Sequence, residues 1–412
     1  MLINMKQSHS FLAAITILVL LHTGTGKDLR TVTEPKNPPI CTTLKPTSAD
    51  ETKTIQKALD SCAKGKAVAL SSGTFMSGPL VIPSGVSLLV EQNAVLEAST
   101  DPKAYDRGNN NCGTINDSGG GCNAFISITG ATGSGIYGKG KIDGRANHIM
   151  TGSNITWWQL AYNASKIHKN QNNPKLIQIA NSKDITLYQI TLVNSPYFHV
   201  QSRLTYGFTV WGITINSPFD SVNSDGIDPT GSINVTIAHS NISTGDDCIA
   251  VSSLYGPSKH ISIYNNYFGH GNSMGIGSGT TYGISEMTVT NLTMNNVRYG
   301  LYIKSNTKNG GLVTNITYNN VCITGEQSRW PISLDTSKPP VTGNHVPQFK
   351  NIVFNNIRIL NNDATIVLHG FSQTNPVEIS INNVHIKKGT KMSVVNAKVQ
   401  GTWKEDASGT SC

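Results

Sequence analysis

The stretch "ISTGDDC" (residues 242–248) sets Asp246 and Asp247 side by side between two apolar runs. Neighbouring carboxylates repel each other and strand interiors disfavour Asp, so an isolated pair of this kind reads as a solvated turn. Other polar residues lie at regular distances on either side. "NSDG" supplies Asn223 and Asp225, "GHG" supplies His270, and "GLYIKS" supplies Tyr302 and Lys304. Asp225 precedes Asp246 by 21 residues; His270 follows Asp246 by 24, and Lys304 comes 34 later. Carboxyl groups gathered at one place cannot all ionise at their ordinary pKa values. One is pushed up and keeps its proton, as a general acid requires, while the others stay charged and can activate a water. Cleavage of a glycosidic bond needs that combination. A cation such as Lys304 beside it suits a sugar that carries its own carboxylate. No Cys/His spacing reads as a zinc site, and neither metal nor cofactor is expected.

These residues meet only if the chain folds back on itself at the same interval, and the sequence contains such an interval. Short alternating runs recur: "DITLYQITL", "GFTVWGITI", "NVTIAHSNI", "HISIYNNYF", "EMTVTNLTM", "NITYNNVCI", "NIVFNNIRI" and "EISINNVHI". Their first apolar residues are Ile185, Phe208, Val235, Ile261, Met287, Ile316, Ile352 and Ile379, spaced 23 to 36 residues apart. Each unit alternates as a strand does, turns at Asn and continues as a second strand. A β-patterned period in the twenties marks a solenoid, because one coil cannot bury its own apolar face. Leucine-rich repeats are the rival, but no Leu-x-x-Leu-x-Leu frame is present. The fold class is therefore all-β, a parallel β-helix. At one strand spacing of about 4.8 Å per coil, Asp225, Asp246, His270 and Lys304 should form a column on one face.

"SADETKTIQKALDSC" is the one clear helix, with Ser48 and Glu51 as a capping box and a short capping role at the N-terminal end of the stack. The Trp-rich stretch after Thr156 is expected to be irregular, with Trp157 and Trp158 packing a loop.

Composition agrees. Charged residues are 14% and glycines number 39, which favours turns over helices. The net charge of +8 is spread along the chain, so an acidic polysaccharide is expected as the partner and nucleic acid is not. The apolar run Phe11–Leu21, followed by Gly24 and Gly26, reads as a signal peptide over 1–26; it is too short to span a membrane. Residues 27–412 then form one domain, expected to be secreted, extracellular and monomeric. Cys41 with Cys62 and Cys112 with Cys122 would staple local segments. Of Cys248, Cys322 and Cys412 at least one must be free or intermolecular, and Cys248 and Cys322 read as buried thiols. Sequons at Asn116, Asn154, Asn163, Asn234, Asn241, Asn291 and Asn315 are glycosylation candidates in a eukaryotic host.

"NSDGIDP", "GDDC", "GHG" and the Lys of "YIKS" resemble the four signature blocks of glycoside hydrolase family 28, the polygalacturonases. The similarity extends to "GKGKIDGR" and "WWQLAYNASK", which resemble the bacterial-type secreted endo-acting members, and covers nearly the whole mature chain. It implies a right-handed parallel β-helix and inverting hydrolysis of α-1,4-galacturonan without metal. By motif position Asp246 is the proton donor, Asp225 and Asp247 hold the water, His270 tunes the acid, and Asn223, Tyr302 and Lys304 bind substrate. Inversion carries an expected carboxyl separation of roughly 6.5–9.5 Å. At 302 the family pattern has Arg, whose bidentate fork a Tyr cannot replace. That departure admits a related pectic specificity, such as rhamnogalacturonan or xylogalacturonan, or a weakly catalytic pectin-binding protein. Pectate lyase is the other β-helix reading, but its Arg base is missing from the column.

Overall fold

The computed structural model describes residues 27–47, 49–339, 341–409 and 411–412; the expected signal segment and Ser48 lie outside them. The repeat read from the sequence is a physical ladder. Ile185 pairs with Phe208, Phe208 with Val235, and so on without a slip through Ile261, Met287, Ile316 and Ile352 to Ile379. All these pairings are parallel. Their side chains point inward and are almost wholly buried, within one apolar cluster that runs from Ile55 to Ile386. Each coil buries its inward row only against the coils before and after it.

The coils turn at residues in the left-handed region, where Asn is tolerated better than other side chains. Asn234, Asn315 and Asn351, each just before a ladder residue, have φ of 58°, 56° and 51°. At the next corner Asn265, Asn291, Asn320, Asn356 and Asn383 do the same. Their amides then bond from coil to coil: Asn291 Nδ2 donates to Asn265 Oδ1 at 2.8 Å and Asn320 Nδ2 to Asn291 Oδ1 at 2.7 Å. At the first corner Asn315 Nδ2 donates to Glu286 at 2.6 Å and Asn351 Nδ2 to Asn315 at 2.6 Å.

Two helix expectations need correction. The first helix is Thr52–Ser61, and Glu51 precedes it rather than sitting three residues inside it. The backbone at Glu51 is still tied to the sheet (its N–H donates to the Met76 carbonyl at 2.8 Å), so the helix cannot start earlier. Ser48, the other member of the expected capping box, lies outside the described residues; at the helix start Asp50 Oδ1 accepts the Thr52 N–H, at 2.8 Å. Ile55 and Leu59 are buried as the periodicity requires. The Trp-rich stretch is not irregular. It is a helix, Trp157–Lys166, opened by a reciprocal capping box between Thr156 and Gln159. Its tryptophans do pack: Trp157 is fully buried edge-on to Tyr105, and Trp158 donates its indole N–H to the Ser195 carbonyl at 2.9 Å.

Both expected local disulfides are present, Cys41–Cys62 and Cys112–Cys122. Cys322 is not a thiol: it is bonded to Cys412, which straps the C-terminal tail across the outer face of the late coils, and Cys248 alone is free and buried. The Cys322–Cys412 bridge closes a segment of 90 residues. A loop of that length removes about 4–5 kcal/mol of chain entropy from the unfolded state. Replacing both cysteines by Ser should therefore lower the urea midpoint without changing the strand signal in circular dichroism. An unchanged midpoint would show that the tail contributes nothing to the stack.

Candidate active site

The strands Ile227–Thr230 and Ile249–Val251 are neighbours, with Ile227 opposite Ile249. Asp225 and Asp247 each stand two residues ahead of that pair, so they occupy the same place on adjacent coils. Asp246 sits beside them. One oxygen from each of Asp225, Asp246 and Asp247 lies within 4.8 Å of the others. The turn that holds them is tight: a Cβ on Gly245 would run into the Ser221 carbonyl oxygen. Gly275, on the next coil, leaves the space into which the Asp247 carboxylate leans; a Cβ there would lie 3.2 Å from Asp247 Oδ2.

The remaining expected residues reach the cluster by different routes, so the column is only partly as predicted. Lys304 starts one coil beyond Gly275, whose strand neighbour is Tyr302, and its side chain returns so that Nζ meets Asp247 Oδ2 at 2.9 Å. Asn223, left-handed at φ 55°, donates to Asp246 Oδ2 at 3.4 Å and accepts from Gln171 at 3.0 Å. His270 pairs with Ser243 at the corner before the cluster, and its Nε2 donates to the Ser217 carbonyl at 2.8 Å, not to a carboxylate. Equal spacing in sequence does not give equal position around the coil: the ladder slips by one residue between Ile242 and Ser243, and His270 pairs with Ser243. Tyr302 is beside Lys304, whose Nζ is 4.8 Å from its ring centre, but the ring is 3% exposed and stacked on Tyr299 at 4.5 Å.

Several groups that the sequence reading passed over belong to the site. Asn272 donates to Asp246 Oδ1 and Ser273 to Asp247 Oδ1, at 2.8 and 2.5 Å. Asp228, inside the "NSDGIDP" block, lines the same cleft of about 320 Å³. An Asp within a strand is itself a signal, since strands disfavour it. His199 is wholly buried, donates through Nδ1 to the Asp225 carbonyl and meets Ser217 Oγ through Nε2, each at 2.9 Å; burial pushes it down to about 4, so it is neutral.

The charges are unequal. Burial first, and the neighbouring carboxylates second, push Asp225 and Asp228 well above the usual carboxylate range and Asp246 above it too. Burial alone would lower Lys304, but the Asp247 carboxylate outweighs it and the ammonium is held firmly protonated. Asp247 is the carboxyl that meets the ammonium, Lys304 donating to one of its oxygens and Ser273 to the other. The three carboxyls are close enough to hold a cation, and Lys304 supplies a positive charge at that place from the chain itself.

The family model described as glycosyl hydrolases family 28 matches residues 71–411. This chain belongs to that family. It is 43% identical to an endo-polygalacturonase of Pectobacterium carotovorum subsp. carotovorum over 380 residues, 91% of this chain and 94% of that one. A polygalacturonase of Ralstonia solanacearum is 37% identical over 386 residues, 82% and 73% of the two chains. Among solved structures, polygalacturonase from Erwinia carotovora ssp. carotovora superimposes with a TM-score of 0.88 at 41% identity, covering 91% of this chain and all of that one. The endo-xylogalacturonan hydrolase from Aspergillus tubingensis shares the fold, with a TM-score of 0.67 at 18% identity over 89% of this chain and all of that one.

In this family 28 chain the carboxyl spacing differs from the expectation: oxygens within 4.8 Å replace a gap of roughly 6.5–9.5 Å. Crowding of that kind has a stability cost that depends on pH. A carboxyl whose pKa is raised in the folded state favours folding fully below its unfolded value, near 3.8 for Asp228, and that contribution is lost as pH rises through the folded value. Asp228→Asn removes one such group while keeping its shape. Its Tm at pH 8 should exceed the wild-type value by about 2 °C or more, with the gap closing towards pH 4. Calorimetric scans across that range check it, and parallel curves would mean that Asp228 ionises freely in the fold.

Proposed function

We infer that this chain is a polygalacturonase: it hydrolyses the galacturonosyl linkages of polygalacturonate in pectin. The observation that carries this reading is the crowded acid cluster with one member neutralised by Lys304, on a chain of family 28. The raised pKa of Asp246 keeps a proton on the carboxyl that meets the leaving glycosidic oxygen. Asp246 donates that proton as the bond to the anomeric carbon breaks. A water adds to the carbon from the other side, and Asp247 takes the water's proton, leaving two shorter chains. Asp225 orients the water; its Oδ1 is buried and has no hydrogen-bond partner among the described residues, so it can accept from that water.

Inversion follows from how the carboxyls are occupied rather than from their separation. A covalent intermediate needs an ionised carboxylate oxygen that can move onto the anomeric carbon. Asp247 is tethered through both oxygens, by Ser273 and Lys304. That leaves each oxygen a lone pair for a proton but holds the group in place. Burial favours the protonated form of Asp225. Neither suits direct attack, so water is the nucleophile. His270 acts at one remove, by holding the Ser217 carbonyl at the corner that leads into the cluster. Asn223 and Lys304 are placed to touch the sugar, since both line the cleft.

The chain is also read as secreted. The apolar run Phe11–Leu21 before Gly24 and Gly26 has the layout of a signal peptide, and three disulfides suit an oxidising compartment. Among the described residues no helix is long and apolar enough to cross a membrane.

Reducing ends should accumulate on polygalacturonate without unsaturated, ultraviolet-absorbing products. Asp246→Asn should lower that rate by about 10²–10⁴-fold with the fold intact. A variant keeping more than a tenth of the rate would remove Asp246 from the role of acid. Proton NMR of the first product should show the β anomer; an α product would assign a covalent intermediate after all.

A further inference from the structure

Tyr302 stands two residues ahead of Lys304, on the strand that faces Gly275. The side chains around Tyr302 bring a second cation beside it. Tyr299 and Trp330 each stand two residues ahead of a paired ladder residue, Leu301 and Ile332, as Asp225 and Asp247 do ahead of Ile227 and Ile249. The column of carboxylates is thus continued on later coils by two stacked rings, 5.0 Å apart and 17° from parallel. Tyr302 packs on the Tyr299 ring, which closes both faces of Tyr299.

Beside this stack lies Lys338, from the segment that follows the strand Ile332–Asp335. Its Nζ is 5.7 Å from the ring centres of both Tyr299 and Tyr302. Burial raises the Tyr302 phenol, so it stays a neutral hydroxyl with its own proton to donate. The two lysines near Tyr302 differ in one respect. Lys304 is committed to Asp247, whereas among the described residues Lys338 has no carboxylate partner. Lys338 is half-buried.

We propose that Lys338 is a specificity-determining residue that binds a galacturonate carboxylate next to the cleavage site, with the Tyr302 hydroxyl as its second donor. Arg carries two parallel N–H donors on one planar group. Here an ammonium and a phenol on different coils offer two donors to the same carboxylate. The stack of Tyr299 and Trp330 fixes the phenol, and the Lys338 ammonium stands 5.7 Å from the centres of both tyrosine rings, which places both donors before substrate arrives. The enzyme therefore keeps its preference for the charged polymer despite Tyr302.

The inference rests on the polygalacturonase reading. Wild-type enzyme without activity on polygalacturonate would end that reading, whereas the proposal is tested by comparing variants of an active enzyme. Lys338→Met should raise KM for unesterified polygalacturonate about tenfold and change kcat less than threefold. The deficit should shrink as methyl esterification rises and as salt is added, because an ester has no charge to hold and salt screens an exposed pair. Lys338→Arg should stay near wild type, and Tyr302→Arg in the Lys338→Met background should restore KM. Binding of trigalacturonate by calorimetry to Asp246→Asn protein, with and without Lys338→Met, gives the same comparison without turnover. Unchanged KM and affinity at every degree of esterification, or a loss equally large on charged and esterified substrates, would overturn the proposal.

Discussion

A coil of this protein has an apolar row that nothing within the coil can cover. That constraint governs the rest of the structure. The inward residues must meet their counterparts one strand spacing away, so the register from Ile185 to Ile379 admits no slip. A shift of one residue would turn each inward side chain outward. The register also sets the site, because polar residues in the turns are carried to one place by the same pairing. Asp225 and Asp247 come together because Ile227 and Ile249 do.

Within that frame the chemistry depends on an imbalance of charge. Four carboxyls share the cleft with one lysine that reaches them, and burial makes further ionisation costly. Lys304 sets its positive charge against Asp247, at 2.9 Å. The Lys304 charge first, and then Asn272 by donating to Asp246, restrain the rise of that carboxyl. On the other flank Lys175 is pushed down to about 8 by burial and by Arg203, and Arg203 lies 3.8 Å over the Tyr255 ring. Cationic groups thus stand on both sides of the cluster, as a polyanionic substrate running through it requires.

The strands were legible because their signal is periodic and the fold repeats it. Ile185 and its counterparts could be named from alternation alone, and Asp225, Asp246 and Asp247 from motif and spacing. Features that depend on how a coil turns were not legible. His270 has the right interval but a different position, because the register slips by one residue at the corner. Lys304 belongs to the site only through the length of its side chain. Asp228, His199 and Asn272 are ordinary polar residues until the direction of each side chain is known. The helix from Trp157 carried a usable signal, Thr156 with Gln159 three residues on, that the aromatic residues obscured. Cys322 read as a strand thiol because its partner lies 90 residues away, beyond any local pattern.

The asparagine rungs tie the fold to the place where the chain is made. Asn291 and Asn315 are rungs, and each also opens an Asn-x-Thr sequence. The nitrogen that donates from rung to rung is the nitrogen to which an oligosaccharide would be attached. In a secretory pathway that glycosylates nascent chains, the modification precedes folding. A glycan at either rung would then place its bulk against the neighbouring coil as the stack forms. The repetition of Asn and Thr that makes the corners inexpensive to build therefore makes the choice of production host a structural variable for this enzyme.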